Sequence, residues 1–298
     1  QPLNTPIENI LRKETRVAHV SDSFNSIKAQ MLKYKAECMP VINENNQLID
    51  AHFWEDVFLE QEKPVKTGLN LPVVIMAGGK GTRMKPLTNV IPKPLIPLGE
   101  KTIMEEIMDR FLQYKCTDFF LSVNYKAETI KHYFEHVVHK YNIYYFQEEK
   151  PLGTAGSLHL LNDQINTPFF VTNCDIIIEE DYTEIYNYHR NNKNELTIVA
   201  ALKHYPIPYG TIKTGDNGSL ISLDEKPELT FKINSGMYIL EPHLINEIPE
   251  NTFFHITDLI DQVKKRSGNV GVFPVSQNSW KDIGEWKEYV KNINFIAK

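Results

Sequence analysis

The sequence predicts an α/β protein in two parts: a small N-terminal α/β module and a larger domain built on a mixed, mostly parallel sheet with helices on both faces. Three observations carry this. The 298 residues suggest roughly two domains. From Pro72 onward, strand-length apolar runs alternate with segments of helical period, the pattern of a parallel sheet covered on both sides. The first of those strands also runs straight into a glycine-rich loop, LPVVIMAGGKGTRMKPLTNVIPKPLIPLG over residues 71–99.

In chain order, a helix over Ser23 to Lys35 places Phe24, Ile27, Met31 and Leu32 on one face, with Asp22 as its cap. A strand from Cys38 to Ile42, a polar turn from Asn43 to Asn46, a second strand around Leu48 to Phe53 and a short helix from Trp54 complete a module over residues 1–60. The polar, unperiodic EQEKPVKTGLNL, with Pro64 and Gly68, marks a linker over residues 61–71. The domain follows over residues 72–298. Its elements are a strand from Pro72 to Ala77, a helix from Ile103 to Lys115, a strand from Asp118 to Val123, a helix from Glu128 to Tyr141 and a strand from Ile143 to Gln147. A helix after Gly153, a strand from Pro168 to Thr172 and a helix from Thr183 to Asn191 continue the Rossmann-like alternation. Strands Leu196 to Leu202, Thr211 to Lys213, Leu220 to Asp224 and Ser235 to Leu240 then extend the sheet.

Composition excludes several classes. No apolar run approaches the ~18 residues that a membrane span requires. A net charge of −6 argues against nucleic acid as a partner. Cys38, Cys116 and Cys174 are far apart with no CxxC, so neither a disulfide framework nor a zinc site is indicated, and a cytoplasmic location is expected. The ten histidines are read as structural, with no metal-ligand spacing.

The glycine loop asks for phosphate. Gly78, Gly79 and Gly81 let the backbone approach a ligand, Arg83 follows, and Lys93 lies in a rigid frame between Pro92 and Pro94. The P-loop pattern fails because Lys80 lies between Gly79 and Gly81, and the dinucleotide pattern fails at Met84. AGGKGTRMKPLT followed by PKPL instead resembles the signature of the sugar nucleotidyltransferases, which join a nucleoside triphosphate to a sugar 1-phosphate.

That resemblance implies roles for residues matched along 72–290. Ala77, Gly78, Gly79, Gly81 and Thr82 would bind the nucleotide, Arg83 the β- and γ-phosphates, and Lys93 the α-phosphate. Asp175, at a strand's carboxyl end in Asn173-Cys174-Asp175, and Asp282, in Trp280-Lys281-Asp282-Ile283-Gly284, would hold Mg2+. The run from Glu148 to Gly156 resembles the E-x-x-P-L-G-T-A-G of guanylyltransferases, so Glu148, Gly153 and Thr154 would meet the base. A carboxylate accepts guanine's two adjacent donors, whereas an amide suits uracil or thymine, so GTP is favoured over UTP or dTTP. Tyr209-Gly210, Glu225-Lys226-Pro227 and Asn234-Ser235-Gly236 resemble sugar-binding elements, with Gly210, Glu225, Lys226 and Asn234 toward the sugar. A glycosyltransferase would carry D-x-D where this chain has Asn173-Cys174-Asp175.

The N-terminal MPVINENNQLIDAHFWEDVF resembles the end of a cystathionine-β-synthase (CBS) domain. Asp50 replaces its usual glycine and Phe53 its phosphate-contacting Thr or Ser, while Asp56 keeps the ribose position. Such modules work as pairs that bind adenine nucleotides. One copy therefore implies half of a pair, a preceding segment removed, and a homo-oligomer. A non-catalytic nucleotide-sensing subunit is the alternative, opposed by intact Arg83, Lys93, Asp175 and Asp282. Fusions of this kind resemble enzymes that make GDP-glucosamine for legionaminic acid, so glucosamine 1-phosphate and mannose 1-phosphate are the favoured acceptors.

Overall fold

A computed structural model describes residues 16–34, 36–54, 57, 68–136 and 141–290. The chain divides into two units, residues 1–64 and 65–298. In the first, β1 (Ala18–His19), α1 (Phe24–Tyr34), β2 (Cys38–Ile42) and β3 (Leu48–Phe53) form a three-stranded sheet in the order β1-β2-β3 with one helix. Ile27 and Met31 of α1 are buried, as their spacing requires, but Phe24 is exposed, with its ring in a T-shaped contact with His52. The cap also differs from expectation. Asp22 turns back to accept from His19 N (2.9 Å), and Ser23 Oγ accepts from Ser26 N (3.2 Å) instead. Asp56 and the short helix after Trp54 lie largely outside the described residues.

The second unit begins with a correction to the linker. Leu71 is buried and Leu69 N donates to Tyr114 O (2.7 Å), so residues 68–71 belong to the domain; residues 61–67 lie outside the described ones. Its sheet contains β4 (Val73–Met76), β7 (Asp118–Val123), β8 (Asn142–Gln147), β9 (Phe169–Asn173), β11 (Leu196–Pro206), β14 (Glu228–Leu240) and β15 (Val270–Val275). The spatial order is β15-β11-β14-β9-β4-β7-β8, and only β14 runs against the rest. Alternation along β4 explains how both faces are covered. Val73 and Ile75 join one core with α2 (Ile103–Leu112), α3 (Ala127–His136) and α4 (Tyr182–Asn191), while Val74 joins another with α5 (Ile256–Lys265).

Smaller pieces are β5 (Pro97–Leu98) with β6 (Lys101–Thr102), β10 (Ile176–Ile178) with β16 (Trp280–Asp282), and the hairpin β12 (Thr211–Thr214) with β13 (Leu220–Asp224). Helix α2 is opened by a reciprocal cap. Thr102 Oγ1 accepts from Glu105 N (3.2 Å) and Glu105 Oε2 accepts from Thr102 N (2.7 Å). The helix expected after Gly153 is a 3-10 run, Gly156–Leu161, whose first N–H, that of Gly156, donates to Phe254 O (3.0 Å). The chain passes from β4 to β7 on one side and later to β9 on the other, so strand order reverses at the carboxyl end of β4, where open sheets of this kind bind ligands. Among the described residues no helix is long and apolar enough to cross a membrane.

Candidate active site

A cavity of about 410 Å³ opens at this reversal point, lined by Met76 from the end of β4 and Asn173 from the end of β9. The glycine loop forms its floor. Gly79 has no atom within 4 Å of where a Cβ would stand, so its backbone faces open space. Gly81, at φ 61°, packs where a Cβ would lie 2.8 Å from Thr88 Cγ2 and 3.1 Å from Lys93 Cβ, so a side chain there is excluded twice. Thr88 Oγ1 donates to Gly81 O (2.9 Å), tying the loop to the turn that carries Lys93.

Lys93 is buried and paired with buried Asp175. The β10–β16 ladder sets Ile176 opposite Asp282, and Ile283 N donates to Asp175 O (2.9 Å). A Cβ on Gly284 would lie 2.5 Å from Asp175 Oδ2, 2.7 Å from Asp282 Oδ1 and 3.0 Å from Lys93 Nζ. Three charged groups therefore converge on a point that only glycine leaves free. Burial pushes the Asp282 carboxyl above the ordinary carboxylate range and the Asp175 charge adds to it, while the bond from Gly284 N (2.7 Å) and the charges of Arg83 and Lys93 pull it down. Two hard carboxylate oxygens in a partly dehydrated site fit a divalent cation such as magnesium. Burial holds the neighbouring Cys174 thiol up at about 12, which keeps it protonated and inert.

Glu148 is buried at another wall of the cavity. Its Oε1 accepts from Ser122 Oγ (2.9 Å) and its Oε2 from Leu152 N (2.9 Å), which leaves the remaining lone pairs of a carboxylate fixed in orientation. Arg83 is 59% exposed in its side chain and reaches Glu285 Oε1 at 3.3 Å.

The expected residues Gly78, Gly79, Gly81, Thr82, Arg83, Lys93, Glu148, Gly153, Thr154 and Asp175 meet in this one cavity. Asp282 and Asn234 line an adjoining cavity of about 190 Å³ that shares Arg83, Asn173 and Asp175. Asn234 arrives there through a bulge. Val199 pairs with Met237 and Ala200 with Asn234, so Ser235 and Gly236 are left out of the ladder and the strand bends toward the cavity. Ala77 stays buried behind the floor, its N donating to Ser122 O (2.9 Å).

Gly210, Glu225 and Lys226 line neither cavity. They flank the exposed β12–β13 hairpin, where a Cβ on Gly210 would meet Glu225 Oε2 at 2.9 Å, so the hairpin sets Gly210 beside Glu225. Sequence reasoning missed Ser122, Phe253 and His255, and named Gly284 only as part of the Asp282 motif. The Phe253-Phe254-His255 run before a helix was a signal within reach for the last two. The reading of the histidines also needs correction. His132, Glu135 and His136 share one exposed side of α3 with ligand atoms within 4.8 Å of one another, a spacing of four that the sequence already contains.

The family model described as nucleotidyl transferase matches residues 72–298. The chain is 33% identical to the mannose-1-phosphate guanyltransferase of Saccharomyces cerevisiae over 76% of its own length and 65% of that protein's. It is 29% identical to the probable mannose-1-phosphate guanylyltransferase 1 of Oryza sativa subsp. japonica, over 75% and 64%. The chain thus spans less than two thirds of these relatives. Among solved structures, HddC from Yersinia pseudotuberculosis complexed with GMP-PN is similar at 27% identity and a TM-score of 0.60, covering 76% of this chain and 99% of that one.

Proposed function

The chain belongs to the nucleotidyl transferase family, and from that premise we propose that it transfers GMP from GTP to a sugar 1-phosphate, releasing pyrophosphate. The observation that carries this reading is the convergence of Lys93, Asp175 and Asp282 around Gly284, beside a glycine loop at the reversal point of the sheet. A phosphate oxygen of the sugar 1-phosphate attacks the α-phosphorus, a new P–O bond forms, and the bond to the β-phosphate oxygen breaks. The attacking group is already an anion, so no general base is required.

In this reading the backbone of Gly78 to Gly81 and the Arg83 guanidinium hold the leaving β- and γ-phosphates. Arg83 exchanges Glu285 for phosphate. Lys93, oriented by Asp175, offsets charge that develops on the α-phosphate. Asp175 and Asp282 would hold a magnesium ion, whose chemistry there is to neutralise phosphate oxygens. Glu148 accepts from guanine, a reading supported by its fixed orientation and by the guanylyltransferase names of the relatives. The adjoining cavity with Asn234 takes the sugar. Gly210, Glu225 and Lys226, beside the β12–β13 hairpin, are the further candidates to contact that sugar. Mannose 1-phosphate is the first acceptor by relationship and glucosamine 1-phosphate the second.

The N-terminal unit is proposed as a CBS-type module, supported by a three-stranded sheet with α1 against β2. Exposed Phe53 at the phosphate position speaks against a bound adenine nucleotide. The wide spacing of Cys38, Cys116 and Cys174, with no CxxC, supports a reducing, cytoplasmic setting, and exposed Ile212, Leu220, Ile221 and Leu223 on the hairpin support a homo-oligomer.

Pyrophosphate release is the direct assay, run with four nucleoside triphosphates against mannose, glucosamine and glucose 1-phosphates in magnesium buffer. GTP with one of the first two acceptors is expected to be fastest. No release from any pair by folded protein removes the enzyme reading, and a preference for UTP or dTTP removes the base assignment.

A further inference from the structure

One wall of the cavity is an aromatic surface with no part in the phosphate chemistry. Phe253 lines the cavity together with Glu148, Gly153, Thr154 and His255, yet remains 60% exposed. The backbone of the next residue is held in place. Phe254 N donates to Leu152 O (2.9 Å), and Phe254 O accepts from Ala155 N (3.1 Å) and Gly156 N (3.0 Å). The glycines opposite permit that approach, since a Cβ on Gly153 would lie 2.6 Å from Phe254 O and one on Gly156 2.6 Å from Thr252 O. His255 braces the ring in a T-shaped contact, with centroids 4.7 Å apart and planes at 82°. His255 Nδ1 itself lies 3.3 Å from Thr154 Oγ1.

The same strip leads to Glu148. Leu152, whose carbonyl accepts from Phe254, gives its own N–H to Glu148 Oε2 at 2.9 Å. A large apolar ring held open to a cavity, two hydrogen bonds from a carboxylate suited to guanine, has the chemistry of a base-stacking platform.

We propose that Phe253 determines base specificity by stacking its ring on the purine of the bound nucleotide. This rests on the nucleotidyl transfer reading above. Two fused rings present more face to Phe253 than the single ring of a pyrimidine, so the contact discriminates guanine from uracil in addition to Glu148. The exposed ring contributes little to the core, so its replacement leaves the fold intact.

The test is calorimetric titration of the full chain, and of its Phe253→Ala and Phe253→Tyr variants, with GDP and UDP in magnesium buffer, with thermal melts and pyrophosphate release alongside. Phe253→Ala is expected to weaken GDP about tenfold and UDP less than about threefold, while Phe253→Tyr keeps the GDP affinity. Unchanged GDP affinity in Phe253→Ala, or equal losses for GDP and UDP, overturns the stacking assignment. With wild-type turnover on GTP intact, that result leaves the transfer reading standing. A wild-type chain that neither binds GDP nor releases pyrophosphate overturns both.

Discussion

Gly284 shows how much a single missing side chain can organise. Lys93, Asp175 and Asp282 come from three separate segments, and they meet because no Cβ occupies the space between them. Gly284→Ala would force at least two carboxylate oxygens outward, and displacement of about 1 Å at a reacting centre costs on the order of a hundredfold. Turnover of the Gly284→Ala variant is therefore expected to fall about a hundredfold, with a melting temperature only several degrees lower, as for a locally overpacked site. Activity within threefold of wild type would mean that the three groups are not catalytically coupled. Glu148 is a second case. The sequence marked its carboxylate as a partner for guanine, but only the fold shows that Ser122 and Leu152 N hold both oxygens, because these partners lie in different segments of the chain.

At the level of elements, the edge of the sheet near β11 is clasped by ion pairs. Glu195, just before β11, accepts from Arg266, just after α5, at 2.5 and 3.1 Å, and from His243 at 2.8 Å, while Arg266 also reaches Glu247. The Arg266 guanidinium holds the Glu195 carboxyl down at about 2, helped by His243 and Asn269 N. A carboxyl lowered in the folded state stabilises fully above its unfolded value, near 4.5, and loses that contribution as pH falls toward 2. Thermal melts from pH 6 to pH 3 should show Glu195→Gln less stable than wild type at the upper end, with the gap closing as the pH drops. A gap that stays constant would detach the pair from pH-dependent stability. The sequence reading missed α5 although Ile256, Leu259 and Val263 have helical spacing and are buried. It also ended the strand at Leu202, whereas β11 runs to Pro206, because pairing with Glu228–Leu240 extends the ladder through residues that carry no apolar pattern.

For the whole molecule, the two units differ in the core they can bury. Among the described residues the first buries Ala18, Ile27, Met31, Met39, Val41, Trp54 and Val57, whereas the second has two extensive clusters on opposite faces of a seven-stranded sheet. Small domains bury a smaller fraction of their surface and are correspondingly marginal. Calorimetry of the full chain is expected to show two transitions, the earlier and smaller one absent from residues 65–298 alone. A single transition, unchanged by that truncation, would refute independent stability. By itself the sequence determined the α/β class and the glycine loop, because strand and helix periods and glycine runs are local, while Lys93, Glu148, Asp175 and Asp282 were marked by resemblance to the motifs of the sugar nucleotidyltransferases. Tertiary structure alone decided that Gly284 lets three charges meet, that a bulge brings Asn234 to the cavity, and that Phe253 faces the same space as Glu148. Those facts depend on contacts between residues far apart in the chain, which periodicity along one strand or helix does not encode.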